Sequence, residues 1–204
     1  MKQNKSNIVE SNPKTTLMLS EQKFIEIKTI VAKSTYCLGM CYEGGLGTDK
    51  NETEAAKFYH IAAEQGDADA LMALARFYQF GIGVKKDLTE AVKWLRMAVE
   101  HDIPRAMFQL GNFYARGIGI ERNDTEAFKW YCMAAERGVV EAVLELSDCY
   151  SKGIGVEVDK EKARSLFRMW VELMNDELQH LPVIDVNDII RISWIHGVSD
   201  PKQP

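Results

Sequence analysis

The sequence predicts an all-α solenoid of four helix–turn–helix repeats, each 36 residues long, and three observations support this prediction. First, two apolar columns recur with that period: Leu38, Leu74, Leu110, Leu146 and Tyr42, Tyr78, Tyr114, Tyr150. Second, two glycines separated by one residue follow every tyrosine of the second column. Third, the residues before these glycines have the three- and four-residue spacing of amphipathic helices. Such a period is typical of arrays whose units bury their apolar faces against their neighbours.

The first half of each unit is predicted to be a helix that ends at the glycine pair. In the second unit Leu71, Leu74 and Phe77 follow the helical spacing, and the run stops at Gly81. Glycine adopts positive φ at little cost, so it commonly ends a helix and turns the chain.

The second half of each unit begins at a residue suited to cap a helix. Asx side chains accept hydrogen bonds from the first backbone N–H groups of a helix, and they form the column Asn51, Asp87, Asn123, Asp159. A glutamate three residues later completes a capping box in three units, while Lys162 replaces it in the fourth. The fourth unit's second helix is therefore expected to start less firmly. These helices stop near Gly66, Asp102 and Gly138.

Small residues allow the two helices of a unit to approach closely. They form the column Gly39, Ala75, Gly111, Ser147, one residue after the leucines. Taken together, the columns place the four repeats at residues 32–67, 68–103, 104–139 and 140–175.

The N-terminal part of the chain is predicted to hold a tail and a cap. Residues 1–19 are polar and are predicted to be a flexible tail. Residues 20–31 are predicted to form a capping helix over the first repeat, with an apolar face of Phe24, Ile27, Ile30 and Val31. No glycine or proline follows, so residues 20–43 form either one long helix or two helices with a kink near Lys33.

Residues 176–204 are predicted to form a C-terminal capping helix and a tail. Within them the segment 183–196 is rich in isoleucine and tryptophan. This segment is interpreted either as a lid on the last repeat or as a docking or dimerisation segment.

The order of these residues resembles a known repeat. The shared order is small-x-Leu-Gly-x-x-Tyr and then Gly-x-Gly-Val-x-x-Asp-x-x-x-Ala-x-x-Trp-x-x-x-Ala-Ala-x-x-Gly, with Thr48 in place of the valine in the first unit and loss of the pattern after Leu166 in the fourth. This order is similar to the Sel-1-like repeat, a relative of the tetratricopeptide repeat. The resemblance covers about 144 of 204 residues and is most specific in the second and third units. It implies a right-handed superhelix and a non-enzymatic scaffold for protein–protein contacts in bacterial signalling, secretion or host interaction.

Composition and charge exclude several classes of protein. Apolar residues make up 46% and charged residues 27%, as in ordinary globular proteins, and the net charge of −5 argues against nucleic acid as a partner. No apolar run approaches the roughly 20 residues that span a bilayer. No signal peptide is recognised, so the chain is predicted to be cytoplasmic, with export through a receptor-read signal left open. The cysteines are expected to be reduced, although one disulfide between Cys132 and Cys149 stays open.

The sequence offers no catalytic or metal-binding constellation. Cys37 and Cys41 provide two corners of a zinc site on one helix face, but no second pair of ligands has a compatible spacing. Ser11 and Lys14 have the spacing of a Ser-x-x-Lys nucleophile, but they lie in the predicted tail. The glycine pairs lack the lysine of a phosphate-binding loop. We therefore predict no catalytic residue, no metal and no cofactor; a hydrolase built on the repeats would need a nucleophile–base pair.

The predicted binding residues come from the resemblance to tetratricopeptide repeats, in which the first helices line a concave surface. They are Arg76, Phe80, Arg105, Asn112 and Arg116, a cationic and hydrogen-bonding patch with an apolar anchor that suits a protein or peptide with acidic groups. The alternative is that these arginines pair with nearby carboxylates on a solvated face. A second functional hypothesis is self-assembly through the C-terminal apolar helix, and the oligomeric state stays open.

Overall fold

The computed structural model describes residues 13–177, and this part of the chain contains eight α-helices joined by short turns, with no strand. The predicted all-α fold is therefore confirmed. The helices are α1 Pro13–Gly44, α2 Glu52–Glu64, α3 Ala68–Phe80, α4 Leu88–Glu100, α5 Pro104–Arg116, α6 Asp124–Glu136, α7 Val140–Lys152 and α8 Lys160–Glu177.

The helices form two compact units, one ending at His101 and the other beginning at Asp102. In the first unit α1 packs on α2, α2 on α3 and α3 on α4. In the second unit α5 packs on α6, α6 on α7 and α7 on α8. Each unit thus contains two helical hairpins, and the core of each consists mostly of alanine, leucine and aromatic side chains.

The second glycine of the turns after α3 and α7 allows close contact with the preceding repeat. An ideal Cβ on Gly83 would lie 2.2 Å from the carbonyl carbon of Glu52, at the start of α2. The same atom on Gly155 would lie 2.1 Å from the carbonyl oxygen of Asp124, at the start of α6. No side chain fits at either position, so the turn of one repeat can rest directly on the backbone of the previous one.

The second helix of each repeat starts at the predicted cap, but the capping box is only half formed. The side chains of Asn51, Asp87 and Asn123 accept from the amide three residues later at 3.0–3.1 Å, and Asp159 does the same at 2.9 Å. The N–H of each cap residue donates to the carbonyl of the repeat's tyrosine, in the pairs Asn51–Tyr42, Asp87–Tyr78, Asn123–Tyr114 and Asp159–Tyr150. The glutamate is not needed for this bond, so Lys162 leaves the start of α8 with the same cap as the other helices.

The small-residue column meets a matching column on the second helix. An ideal Cβ on Gly39 would lie 2.6 Å from Cε1 of Tyr59, and one on Gly111 would lie 2.7 Å from Cε1 of Tyr131. The second repeat has Ala75 and Leu95 at these two positions. In the first and third repeats a glycine on one helix thus faces a tyrosine ring on the other.

The predicted boundaries at the ends of the chain need correction. Helix α1 runs without a break from Pro13 to Gly44, so residues 13–19, predicted as a flexible tail, are helical. Residues 21–31 are all exposed, so the predicted capping helix continues α1 and does not fold over the first repeat. The physical reason is that no glycine or proline interrupts the helical spacing before Leu38.

At the other end α8 extends to Glu177, across the predicted border between the fourth repeat and the C-terminal cap. The remainder of the predicted cap, including the segment 183–196, lies outside the described residues, as does Ser11.

Candidate functional site

Three of the predicted binding residues share one face of α5. Arg105, Asn112 and Arg116 are separated by seven and four residues, which places them within about 40° of one another around the helix. The first and last are about 16 Å apart along the helix axis. We call these three residues the α5 stripe.

The arginines of the α5 stripe carry exposed charges. Arg105 and Arg116 are both exposed, and neither forms an ion pair with another residue in the described part of the chain. The charge of Arg116 acts on the half-buried Glu145: burial and Asp148 raise the pKa of that carboxyl, and Arg116 opposes the rise. The stripe is therefore a strongly cationic part of α5.

The central member of the stripe is oriented by a buried tyrosine. The hydroxyl of Tyr131 donates to Oδ1 of Asn112 at 2.9 Å. Burial raises the pKa of Tyr131, so its hydroxyl keeps the proton that it donates. With its oxygen occupied, Asn112 offers its amide N–H groups to a ligand.

The other two predicted residues lie on α3, in the first unit. Nη2 of Arg76 donates to Oε1 of Glu43 at 2.7 Å, and the hydroxyl of Tyr59 donates to the second oxygen of this carboxylate at 2.6 Å. The guanidinium also lies over the ring of Phe77, 5.0 Å from its centroid. Arg76 is therefore largely neutralised, as the alternative interpretation anticipated, whereas Phe80 is 64% exposed.

Sequence reasoning missed the residues that hold these side chains. Glu43 and Tyr59 fix Arg76, and Tyr131 fixes Asn112. The signal was present in the repeat: the two tyrosines occur in the two units that have glycine in the small-residue column. Two of the three equivalent charges on α7 are also paired, because Lys152 donates to Asp148, whereas Glu141 forms no ion pair in the described part of the chain.

Two cysteines and one histidine of the described part of the chain have the properties of structural residues. Cys149 is buried and its thiol pKa is raised to about 12 by burial, which also raises the pKa of Cys132. Both of these cysteines are free thiols. His60 lies with Nε2 3.0 Å from the hydroxyl of Tyr78, and burial lowers its pKa. Within residues 13–177 no three His, Cys, Asp or Glu side chains are grouped so that they could hold a metal ion.

None of the eight helices is both long and apolar enough to cross a bilayer, as judged over the described residues.

Comparison with known families decides what kind of repeat this is. A family model described as Sel1 repeat matches residues 32–67, 68–102, 104–139 and 140–173. The chain belongs to the Sel1 repeat family. This confirms the resemblance seen in the sequence. Sel1 repeat proteins generally mediate protein–protein interactions, and the repeat is typically a non-enzymatic scaffold.

Solved structures of Sel1 repeat proteins are similar to this chain. A Sel1 repeat protein from Oxalobacter formigenes is 34% identical with a TM-score of 0.67, and the match covers 79% of this chain and 70% of that one. The protective antigen c5321 of uropathogenic Escherichia coli is also 34% identical with a TM-score of 0.67. That match covers 70% of this chain but 30% of the antigen, so the present chain spans about a third of its length. A search of curated proteins found no match.

Proposed function

We propose that this Sel1 repeat protein is a scaffold that holds an acidic segment of a partner protein on the α5 stripe. One comparison carries the proposal. The first helices of three repeats carry charged residues at these positions, and both charges on α3 and two of the three on α7 are paired. Arg105 and Arg116 of α5, by contrast, have no ion-pair partner among residues 13–177.

The spacing of the stripe specifies the ligand. Guanidinium groups bind carboxylates in a bidentate manner, and the two arginines are about 16 Å apart along the helix. An extended chain advances about 3.3 Å per residue and its side chains alternate between two faces, so two carboxylates about four or six residues apart lie on one face and would reach both arginines. The ligand we propose is therefore an extended segment with two acidic residues at that separation, whose backbone carbonyl accepts from the amide of Asn112.

The site is organised before the partner arrives. The stripe lies on a regular helix, and Tyr131 already fixes Asn112. Little conformational entropy is then lost on binding, which favours affinity from a small number of contacts. The two predicted residues on α3 belong to the other compact unit and are not assigned to this site: Phe80 is exposed there, and Arg76 is already held by Glu43.

The experiment uses the full chain and a displayed library of random peptides. Peptides that the chain enriches are synthesised with a fluorescent label, and their affinity is measured by anisotropy. We expect enriched peptides to carry two Asp or Glu residues about four or six positions apart. Changing Arg105→Glu and Arg116→Glu together should raise their Kd about tenfold or more, because charged hydrogen bonds contribute about 1.5–3 kcal/mol each.

A matched control separates the effect of losing the α5 stripe from the effect of changing the net charge of the protein. The pair Lys85→Glu and Arg168→Glu changes the charge by the same amount at two exposed residues that form no ion pair in the described part of the chain. This control should change the Kd less than about twofold, since distant surface charges are screened by salt. The proposal fails if the stripe variant, with unchanged thermal unfolding, binds the enriched peptides as tightly as the unmodified chain.

A further inference from the structure

The first helix has an apolar face that no described element covers. Helix α1 contains 32 residues, while α3, α5 and α7 contain 13 each. Its residues 21–31 are all exposed, and the exposed fractions reach 67% for Phe24, 59% for Ile27 and 47% for Val31. A helical extension of this kind is marginal in water unless a second element packs on it.

The repeats themselves show what kind of element is missing. Leu38 is 42% exposed, whereas the equivalent leucine of the second repeat, Leu74, is fully buried. In the same way Ser34 is exposed where Ala70 is buried. Helix α3 packs against α2, the helix before it, and α1 has no such predecessor among residues 13–177. The open face of α1 is therefore the face on which a preceding helix would pack.

The spacing along this face is that of a helix pair. The apolar and small residues alternate in steps of three and four, in the order Phe24, Ile27, Val31, Ser34, Leu38, Cys41. This is the a and d pattern of a coiled coil, in which two helices meet along a continuous seam. We call these six residues the α1 seam.

We propose that α1 binds α1 of a second copy of this chain along this face, with the two helices antiparallel and Phe24 of each copy beside Ile27 of the other. The N-terminal extension of each copy then covers Leu38 and its neighbours in the other copy. The extension of the second copy would pack on α1 as α2 packs on α3. The helices α2 and α3 are consecutive and are joined by a short turn at Gln65–Asp67. The extension that fails to cap its own repeats would thus cap those of the partner.

The charges beside the seam favour this orientation. Glu21 and Lys28 occupy successive e positions, while Lys23 occupies a g position. Antiparallel helices bring e positions together, so Glu21 of one copy would face Lys28 of the other, twice by symmetry. Parallel helices would instead bring Lys23 beside Lys28 of the second copy, and like charges repel.

The test measures the mass of the full chain by sedimentation velocity and light scattering over a wide range of concentration. We expect a dimer. The variant Ile27→Lys places a charge in the seam and should raise the dimer dissociation constant about tenfold or more. Because Ile27 is exposed within a single copy, the repeats of this variant should unfold as before. The matched control Ile25→Lys changes an isoleucine of similar exposure on the other side of α1, and it should stay dimeric.

Charge exchange tests the orientation. In the antiparallel pair Lys28→Glu alone should weaken the dimer, and adding Glu21→Lys should restore it. A dimer strengthened by Lys28→Glu alone would overturn the antiparallel arrangement. A chain that is monomeric at every concentration, or a dimer that survives Ile27→Lys but is lost when residues 183–196 are deleted, overturns the proposal and identifies another occupant or interface.

Discussion

Replacing Gly111 by alanine tests the close packing of the two helices in a repeat. An ideal Cβ at Gly111 would lie 2.7 Å from Cε1 and 2.8 Å from Cδ1 of Tyr131. Carbon atoms in favourable contact are about 3.5–4.0 Å apart, so the ring or the helix would have to move by about 1 Å. The ring has little freedom to do so, because Tyr131 is buried and its hydroxyl is bonded to Asn112.

Two opposing effects set the size of the change. Alanine is favoured over glycine inside a helix by about 1 kcal/mol. Overpacking a core costs about 1–3 kcal/mol, and loss of the bond between Tyr131 and Asn112 costs about 1 kcal/mol more. We therefore expect Gly111→Ala to lower the free energy of unfolding by about 1–3 kcal/mol.

The assay is urea unfolding followed by circular dichroism, with a double-mutant cycle. The second repeat combines Ala75 with Leu95, so adding Tyr131→Leu to Gly111→Ala reproduces a natural pair. The double variant should be more stable than Gly111→Ala alone, with a coupling energy above about 0.5 kcal/mol. A Gly111→Ala variant as stable as the unmodified chain, or effects that simply add, would refute the reasoning.

Three further predictions concern caps, core and thiols. Asp87→Ala should lower the free energy of unfolding by about 1 kcal/mol. Glu90→Ala should change it by less than about 0.5 kcal/mol, because the N–H of Asp87 donates to the Tyr78 carbonyl and not to the glutamate. Urea unfolding of both variants checks this. Leu110→Ala should cost about 2–5 kcal/mol. In a chain kept monomeric by Ile27→Lys, Leu38→Ala should cost clearly less, since that side chain is 42% exposed within one copy; equal losses in this background would contradict the open face of α1. Cys149 should react with iodoacetamide at pH 9 far more slowly in the folded chain than in urea, because burial raises its thiol pKa to about 12. Because the folded chain holds this thiol proton more tightly than the unfolded chain, the contribution of Cys149 to stability is complete below its ordinary pKa of 9.0 and is lost as the pH rises toward 12. Measuring the unfolding of Cys149→Ala and of the unmodified chain as a function of pH should show this loss.

The repeat columns predicted those parts of the fold that depend on local chemistry. The capping column and the glycine pairs appear in the structure where the sequence places them, because each repeats one local solution. The predicted role of Glu90 was wrong because the N–H of Asp87 donates to the backbone carbonyl of Tyr78 instead. A backbone acceptor is present at every residue, so no sequence pattern indicates it. The course of α1 was left open because its extension has no covering element to decide between a kink and a straight helix.

The candidate site was predictable as a face and not as a set of free charges. Helical spacing places Arg105, Asn112 and Arg116 together on α5. Whether an arginine is neutralised depends on contacts between different repeats, and Arg76 meets Glu43 33 residues earlier in the chain. To predict such a pairing, one must know which columns of neighbouring repeats are in contact. The repeat period alone does not give these contacts.

The side-chain-free positions at Gly83 and Gly155 restrict how this protein can evolve. Each fits against main-chain atoms of the hairpin before it, at Glu52 and Asp124. An insertion or deletion of a single amino acid between the tyrosine and this glycine would move the glycine away from its contact with the preceding hairpin. Exchange of an entire repeat would preserve that contact. Gene duplication and recombination in whole modules are therefore the changes in length that this architecture tolerates best.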